Sequence, residues 1–386
     1  MAIPLKYNTG NLAARRTSML LTILGIGAIN AVMLSMLALW HGVKQTTVAS
    51  GSPTDLIVMR ESAETELSSW VTREAYEVIR TIPGIAKDAN GQPLVSPELV
   101  ILFKLPRRDT GRGSNVTVRG LTPVGLEVRP PKLIEGRMFK PGTSEVIVAK
   151  RIRDRFANTS VGDTFHFGAT DYRVAGVFDA AGTAFDSEIW ADESFLASSR
   201  KRNAYSTVLV RPADAAAAKN IVDAIKNDNR LKLQVKTERK YYEEQTSGLF
   251  GIVILVGFVT VFMVIGAVLG TMNTMFAAVA GRTRELATMR ALGFKRRAIL
   301  LSIVVESALV SLLGGLAGVL LALPVNGIST GTTNFRTFSE IAFNFNVDAS
   351  VALRGITIAV IAGVVGGLLP AISAARMPIT KALREI

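Results

Sequence analysis

Four long apolar runs divide the chain, and polar stretches of very different lengths separate them. The runs cover residues 18–40, 248–272, 298–325 and 351–375. Since a helix of about 20 residues crosses the roughly 30 Å hydrocarbon core of a bilayer, each run predicts a membrane-spanning helix. The first run is longer than the apolar core of a signal peptide and has no clear small-residue exit, which favours a retained helix over a cleaved one.

The long polar stretch between the first two runs, residues 41–247, reads as a soluble domain. Short β-type runs such as DLIVMR at 55–60 alternate with proline and glycine turns. An early strand and helix and a late strand, helix, strand unit over 206–236 bracket a strand-rich centre of about 90–190. The sequence therefore predicts a membrane α-helical protein with a large extracytoplasmic α+β domain of two lobes.

The short stretch 273–297 lies between the second and third runs and carries many basic residues against one acid, Glu285. Such an excess of lysine and arginine in a short loop marks the cytoplasmic side of a membrane. Leu286, Met289, Leu292 and Phe294 recur at helical spacings with charge between them. We therefore expect a short amphipathic helix across this loop, placed to contact a cytoplasmic partner.

The remaining basic flanks give the same topology. Arg15 and Arg16 precede the first run, and Arg376, Lys381 and Arg384 follow the last one. The positive-inside rule then places segments 1–17 and 376–386 in the cytoplasm and the loop 326–350 outside. The net charge of +13 reflects this topology and does not indicate nucleic-acid binding.

One acid and several small residues lie inside the apolar runs. Glu306 is expected near the interface, paired with a basic residue of the loop, and a role in translocation is the alternative. Glycines spaced by four residues permit close helix contact: Gly266 with Gly270, Gly314 with Gly318, and Gly363 with Gly367. Pro324 and Pro370 are expected to end or kink their helices.

Charged groups of the polar domain give no sign of catalysis. Asp179, Asp186, Glu188, Asp192 and Glu193 are interpreted as a solvated acidic face, and the segment 125–142 (GLEVRPPKLIEGRMFKPG) as a solvated loop. The chain has no cysteine and only two histidines, so we expect no disulfide and no metal site. It also lacks GxxxxGK(S/T), so we expect no bound cofactor, with ATP and Mg²⁺ held by another polypeptide.

The order of these elements closely resembles the MacB/FtsX-like permeases of ABC transporters, including lipoprotein-releasing permeases and the DevC glycolipid-exporter permeases. The resemblance rests on NLAARRTSMLLTILGI at 11–26, KLIEGRMF at 132–139, GRTRELATMRALGFKRRAIL at 281–300, ESALVSLLGGLAG at 306–318 and LLPAISAARMPITKALRE at 368–385. It implies that the extracytoplasmic domain has a porter-like lobe and a β-rich lobe. It also implies that the loop helix docks into an ATPase, with these coupling positions: Arg282, Thr283, Arg284, Glu285, Met289, Arg290, Ala291, Leu292 and Gly293.

The resemblance implies a permease subunit of the bacterial inner membrane, not itself an enzyme. We expect it to transmit ATP-driven closure to its extracytoplasmic domain and so to export or extract a lipid, lipoprotein, peptide or small molecule. The expected partners are a separate ATPase, since no ATPase domain precedes the first run as in MacB, and a second permease copy. A periplasmic adaptor and an outer-membrane channel are compatible with the resemblance. An FtsX-like transducer that activates a cell-wall hydrolase, and a membrane-anchored sensor or scaffold, are the alternatives.

Overall fold

The computed structural model describes residues 16–48, 50–245, 250–334 and 336–378. Its contacts divide the chain into two compact units. The helical unit comprises residues 1–42, 251–328 and 344–386, and the globular unit comprises residues 43–250 and 329–343. The short segment 329–343 therefore belongs to the globular unit although it lies between two helices of the helical unit.

The helices of the described residues fall into long and short classes. They are α1 (Arg16–Val48), α2 (Arg73–Ile79), α3 (Pro123–Val128), α4 (Lys150–Arg155), α5 (Glu193–Ser199), α6 (Ala215–Asn227), α7 (Glu238–Gln245), α8 (Phe250–Ala280), α9 (Thr283–Ala291), α10 (Arg296–Ala322) and α11 (Ala349–Arg376). By length and composition, α1, α8, α10 and α11 can each cross a membrane. The prediction of four membrane helices is confirmed.

The long helices extend beyond some of the apolar runs that predicted them. Helix α1 continues to Val48 and α8 to Ala280. Pro324 lies in a 3₁₀ turn, Leu323–Val325, directly after α10, whereas α11 continues through Pro370 to Arg376. Pro370 therefore does not end its helix. Arg15, Lys381 and Arg384, on which part of the topology prediction depends, lie outside the described residues.

Two of the three predicted glycine pairs lie at close helix contacts inside the helical unit. A side chain at Gly314 or Gly318 would collide with Ile26 or Asn30 of α1, at 2.6 and 2.7 Å. The Asn30 amide also donates a 3.0 Å hydrogen bond to the Gly315 carbonyl of α10. Small residues thus let α1 and α10 approach closely enough for a polar contact.

The second close contact joins α11 to α10, and the remaining pair is open. Side chains at Gly363 and Gly367 would collide with Ser311 and Ser307 of α10, at 2.0 and 2.2 Å. A side chain at Gly266 or Gly270 of α8 would meet nothing within 4 Å.

The strands of the described residues form one large mixed sheet and two small pairs. They are β1 (Leu56–Arg60), β2 (Val71–Thr72), β3 (Val95–Pro106), β4 (Gly113–Leu121), β5 (Lys132–Gly136), β6 (Glu145–Ala149), β7 (Thr164–Phe167), β8 (Thr170–Asp179), β9 (Glu188–Asp192), β10 (Ala204–Tyr205), β11 (Thr207–Val210), β12 (Leu233–Thr237), β13 (Ser329–Thr333) and β14 (Glu340–Asn344). The large sheet has the order β12-β1-β11-β3-β4-β9-β6-β8-β5, and β7 pairs with β8.

The two predicted lobes correspond to two hydrophobic cores that share this sheet. In β1, Leu56 and Val58 belong to the smaller core, while Ile57 and Met59 belong to the larger one. Successive side chains of a strand point to opposite faces, so β1 is buried on both sides. This explains why its sequence is a continuous apolar run and does not alternate with polar residues.

The smaller core is closed by α2 and α6, and the larger core is built mainly from β3, β4, β6, β8 and β9. Helix α6 buries Ala217, Ile221 and Ile225 at four-residue spacing, and the side chain of Asp214 accepts a 2.7 Å bond from the Ala217 N–H at its start. The segment 125–142 is not simply a loop, as its sequence led us to expect. It contains the end of α3 and the whole of β5, which pairs with β8 at the edge of the sheet.

Candidate functional site

Helix α9, the helix predicted between the second and third long helices, packs one face on α8, α10 and α11. Leu286 and Ala287 are buried. Leu286 and the half-buried Met289 belong to a cluster whose other members come from α8, α10 and α11: Met275, Val279, Ile299, Ile303, Ala371 and Ala374, with Leu300 and Val304 at its edge. The apolar stripe of α9 therefore faces the chain's own long helices.

A buried ion pair fixes the beginning of α9. Arg282, the residue before the helix, donates from Nη2 to both carboxylate oxygens of Glu306 at 2.8 and 2.7 Å. Both side chains are less than a tenth exposed. The expectation that Glu306 pairs with a basic residue of the loop is confirmed. Thr283, the first residue of the helix, is half-buried and donates to the Ala280 carbonyl at 2.9 Å.

The end of α9 is fixed by a glycine cap and by an arginine. The N–H groups of Gly293 and Phe294 donate to the carbonyls of Arg290 and Met289, each at 3.1 Å. This is a Schellman motif, and Gly293 has the left-handed φ of +94° that the motif needs. Arg290 Nη1 donates to the Ala375 carbonyl in the last turn of α11 at 2.7 Å. The helix is thus bonded to both α10 and α11.

The other face of α9 is exposed, and together with the start of α10 it carries four basic residues and one acid. Of the predicted coupling positions, Arg284, Glu285, Ala291, Leu292 and Gly293 are exposed. Leu292 is the most accessible apolar side chain there, at 71%. Lys295, Arg296 and Arg297 continue the exposed surface into α10. We call these eight residues the basic face.

Met289 and Arg290, two of the predicted coupling positions, contact this chain's own helices, and their contact with a partner stays a prediction. The 3.6-residue period correctly predicted a helix with an apolar stripe. It does not say which surface the stripe covers, and here the stripe fills a gap between α8, α10 and α11. Met289 and Arg290 thus help to hold α9 on α10 and α11, whereas the Leu292 side chain is left exposed.

The expected acidic face of the globular unit is not solvated. Asp186, Glu188, Asp192 and Glu193 are each less than a tenth exposed. Asp186 accepts bonds from the N–H groups of Ala180 and Gly182 at 2.7 Å. Asp192 caps α5, and Asp179, which is half-buried, accepts from the Ala181 N–H. Asp179, Asp186 and Asp192 were misassigned because nearby backbone N–H groups satisfy their carboxylates. Glu188 was misassigned because its partner, Arg119, lies far away in sequence.

Glu188 belongs to a buried ion cluster that the sequence analysis missed. Its members are Glu66, Glu98, Arg119, Arg129, Glu188 and Glu238. Arg119 is 1% exposed and donates to Glu66, Glu98 and Glu188 at 2.7–3.1 Å. Although burial acts in the opposite direction, the carboxylates of Glu188 and Glu66 hold the pKa of Arg119 well above its ordinary value. The sequence gives little signal of this cluster, because Arg119 alternates with valines in β4 and so is expected on a polar face of the strand.

The segment 329–343 is fastened to the globular unit by a second set of buried charges. Glu340 accepts from Ser114 at 2.7 Å and from Arg107 at 3.3 Å, and it also pairs with Arg155. Arg151 donates to the Ala342 carbonyl at 2.5 Å. These contacts fasten the β13–β14 hairpin to the rest of the globular unit. In sequence, the hairpin lies between α10 and α11.

Among the described residues, no group of three or more histidine, aspartate or glutamate side chains could hold a metal ion. The carboxylates of the buried ion cluster are bonded to arginines, which suits a structural role better than acid–base chemistry. That the globular unit has no catalytic centre stays a prediction.

Comparison with known proteins gives two family matches that together span most of the chain. Residues 19–228 match the MacB-like periplasmic core domain, and residues 257–379 match the FtsX-like permease C-terminal domain. The macrolide export ATP-binding/permease protein MacB of Bordetella avium is 27% identical over 96% of this chain. The pyoverdine export ATP-binding/permease protein PvdT of Pseudomonas fluorescens is 27% identical over 66% of it.

This chain covers 58% of the Bordetella protein and 40% of the Pseudomonas protein. Among solved structures, the extracellular domain of the transporter YknZ covers 47% of this chain with a TM-score of 0.37 and 19% identity. The periplasmic region of MacB from Actinobacillus actinomycetemcomitans covers 50% with a TM-score of 0.37 and 13% identity.

Four helices that can cross a membrane, with a large globular unit inserted between the first and the second, define a multi-pass membrane protein. The chain belongs to the MacB/FtsX-like family of ABC-transporter permeases.

Proposed function

We propose that this chain converts ATP-driven movement of an ATPase into movement of its globular unit. The observation that carries the proposal is the double attachment of α9. On one face, Arg282 bonds to α10, Arg290 bonds to α11 and Leu286 packs among the long helices. The other face is exposed. A partner that moves α9 therefore acts directly on two membrane helices.

The same two helices lead into the globular unit. The chain leaves α10, forms the β13–β14 hairpin and enters α11, and Glu340 fixes that hairpin to residues of the globular unit. Buried, charge-assisted contacts of this kind resist separation more than exposed ones do. The hairpin is thus a candidate link through which displacement of α10 and α11 reaches the globular unit.

The basic face fits a partner with an apolar socket and an acidic rim. Burying the Leu292 side chain would contribute about 1.5–3 kcal/mol on transfer grounds, before the cost of association. Arg284 and the Lys295–Arg297 cluster would orient the partner and speed its encounter more than they would tighten the complex. We propose that this partner is a separate ABC ATPase subunit that binds ATP and Mg²⁺.

The wider assembly follows from the same mechanism. Because ABC ATPases act as pairs, we propose two copies of this permease, or one copy with a close paralogue. We place α9 and both chain ends in the cytoplasm of a bacterium and the globular unit outside its inner membrane. The cargo class is a lipid, lipoprotein, peptide or small molecule, moved with or without a periplasmic adaptor and an outer-membrane channel.

The test is a Leu292→Asp substitution in the full chain, purified from its native membrane. Wild type should co-purify with a subunit that carries GxxxxGK(S/T) and hydrolyses ATP, and Leu292→Asp should lose most of it. Ile134→Asp is the matched control, because Ile134 is an exposed apolar residue of β5 and lies outside the basic face. Equal recovery of the ATPase with Leu292→Asp and Ile134→Asp would refute the assigned docking face.

A further inference from the structure

The globular unit has a groove in which cationic and apolar side chains are combined. Its volume is about 610 Å³. Arg200, Arg202 and Arg336 supply the charge, and Leu67, Phe167 and Phe338 are among the apolar residues of its wall. None of the described residues that line the groove is acidic.

Two separate segments bring the three arginines together. Arg200 and Arg202 follow α5, where Lys201 takes a left-handed φ of 51° and the Arg202 N–H donates to the Ala197 carbonyl at 2.9 Å. Arg336 lies in the turn between β13 and β14. A hydrogen bond of 3.0 Å from the Asn115 amide to the Phe338 carbonyl helps to fix that turn.

Arg200 is held in place by aromatic rings, and no carboxylate among the described residues pairs with it. Its guanidinium lies 4.0 Å from the centre of the Phe167 ring and 5.2 Å from that of Phe103. Its Nε and Nη2 atoms are buried and have no hydrogen-bond partner among the described residues. Rings position a guanidinium but neutralise little of its charge, so Arg200 contributes positive charge to the groove wall.

The neighbouring arginines add charge that is largely uncompensated. The described residues form no ion pair with Arg202, which is exposed. Arg336 approaches Glu64 only at 3.8 Å, and Glu64 is 71% exposed. An anion entering the groove would therefore displace little existing pairing.

We propose that this groove binds a small anionic amphiphile, that is, a molecule with a carboxylate, sulfonate or phosphate group and an apolar body. Guanidinium groups bind such oxyanions with strong, directional hydrogen bonds. The phenylalanines and the leucine form an apolar wall for the body of the molecule, and the volume of the groove lies within the range of small-molecule pockets. The site stands apart from the proposed coupling role, because binding requires no ATPase.

The experiment measures binding of a fluorescent probe, 8-anilinonaphthalene-1-sulfonate, to the full chain in nanodiscs of zwitterionic lipid. Empty nanodiscs supply the background. The sulfonate probe should bind in a saturable way, and the uncharged N-phenyl-1-naphthylamine should bind at least tenfold more weakly. Raising the salt concentration should weaken only the sulfonate probe, because its contacts are ionic.

The test variant is Arg202→Met with Arg336→Met, which leaves the packed Arg200 in place and changes two accessible side chains. It should weaken sulfonate binding at least tenfold. Lys219→Met with Lys226→Met, on the exposed side of α6, removes the same charge outside the groove and should leave binding unchanged. Equal binding by both double variants, or equal affinity for the charged and the uncharged probe, would overturn the proposal.

Discussion

The Arg282–Glu306 pair permits a quantitative test, because the structure predicts opposite results for single and double substitutions. Both side chains are less than a tenth exposed, and two hydrogen bonds of 2.7–2.8 Å join them. Removing one member of a buried pair leaves an uncompensated charge and costs about 3–5 kcal/mol. We therefore expect Arg282→Met and Glu306→Leu each to lower the free energy of unfolding by that amount.

The double variant should recover most of this loss. Replacing both members of a buried pair by apolar residues of similar volume is often neutral or stabilising, so Arg282→Met with Glu306→Leu should lie within about 1 kcal/mol of wild type. The assay is unfolding of the full chain by SDS in mixed micelles, followed by circular dichroism. Additive losses in the double variant would refute the pairing as the main role of Glu306.

Three further predictions concern the globular unit. Arg119→Met should destabilise it by at least about 3–5 kcal/mol, because three carboxylates lose a buried partner, whereas Arg137→Met breaks an exposed pair and should cost about 0–1 kcal/mol in the same thermal unfolding assay. Glu340→Gln removes charge-assisted bonds worth about 1.5–3 kcal/mol, so limited proteolysis should cut the β13–β14 hairpin roughly tenfold faster or more. Although burial would raise it, Arg129 and Arg119 hold the pKa of Glu98 below its ordinary 4.5. The stability that this lowered pKa provides is present above pH 4.5, the ordinary pKa of glutamate, and is lost as the pH falls through the pKa of Glu98 in the folded protein. Glu98→Gln should therefore approach wild type in stability when the pH is below the folded-state pKa of Glu98.

The sequence predicted the elements whose stability depends on local pattern. An apolar run long enough to cross a bilayer has few alternatives to a helix, so all four long helices were predictable. The apolar run of β1 also predicted a strand, and the structure adds that both of its faces are buried. The Arg282–Glu306 pair was also foreseeable in outline, since an acid at that depth needs a nearby basic partner.

Contacts between distant parts of the chain were not predictable. Glu188 reads as a surface acid, because the Arg119 that binds it lies 69 residues away in sequence. The β13–β14 hairpin has little hydrophobic pattern, and much of its fixation comes from Glu340 and its distant arginine partners. The direction of the α9 stripe is a third case, because Met289 can satisfy the same period against its own chain or against a partner.

The split composition of the globular unit imposes an order on its biogenesis. Residues 43–250 emerge from the ribosome first, but the hairpin at 329–343 follows only after residues 251–328 have been made. At about 5–20 residues per second, that intervening stretch takes several seconds to synthesise. During this interval Arg107, Arg155 and Ser114 lack the carboxylate of Glu340. The globular unit therefore becomes complete only after the third long helix has been made.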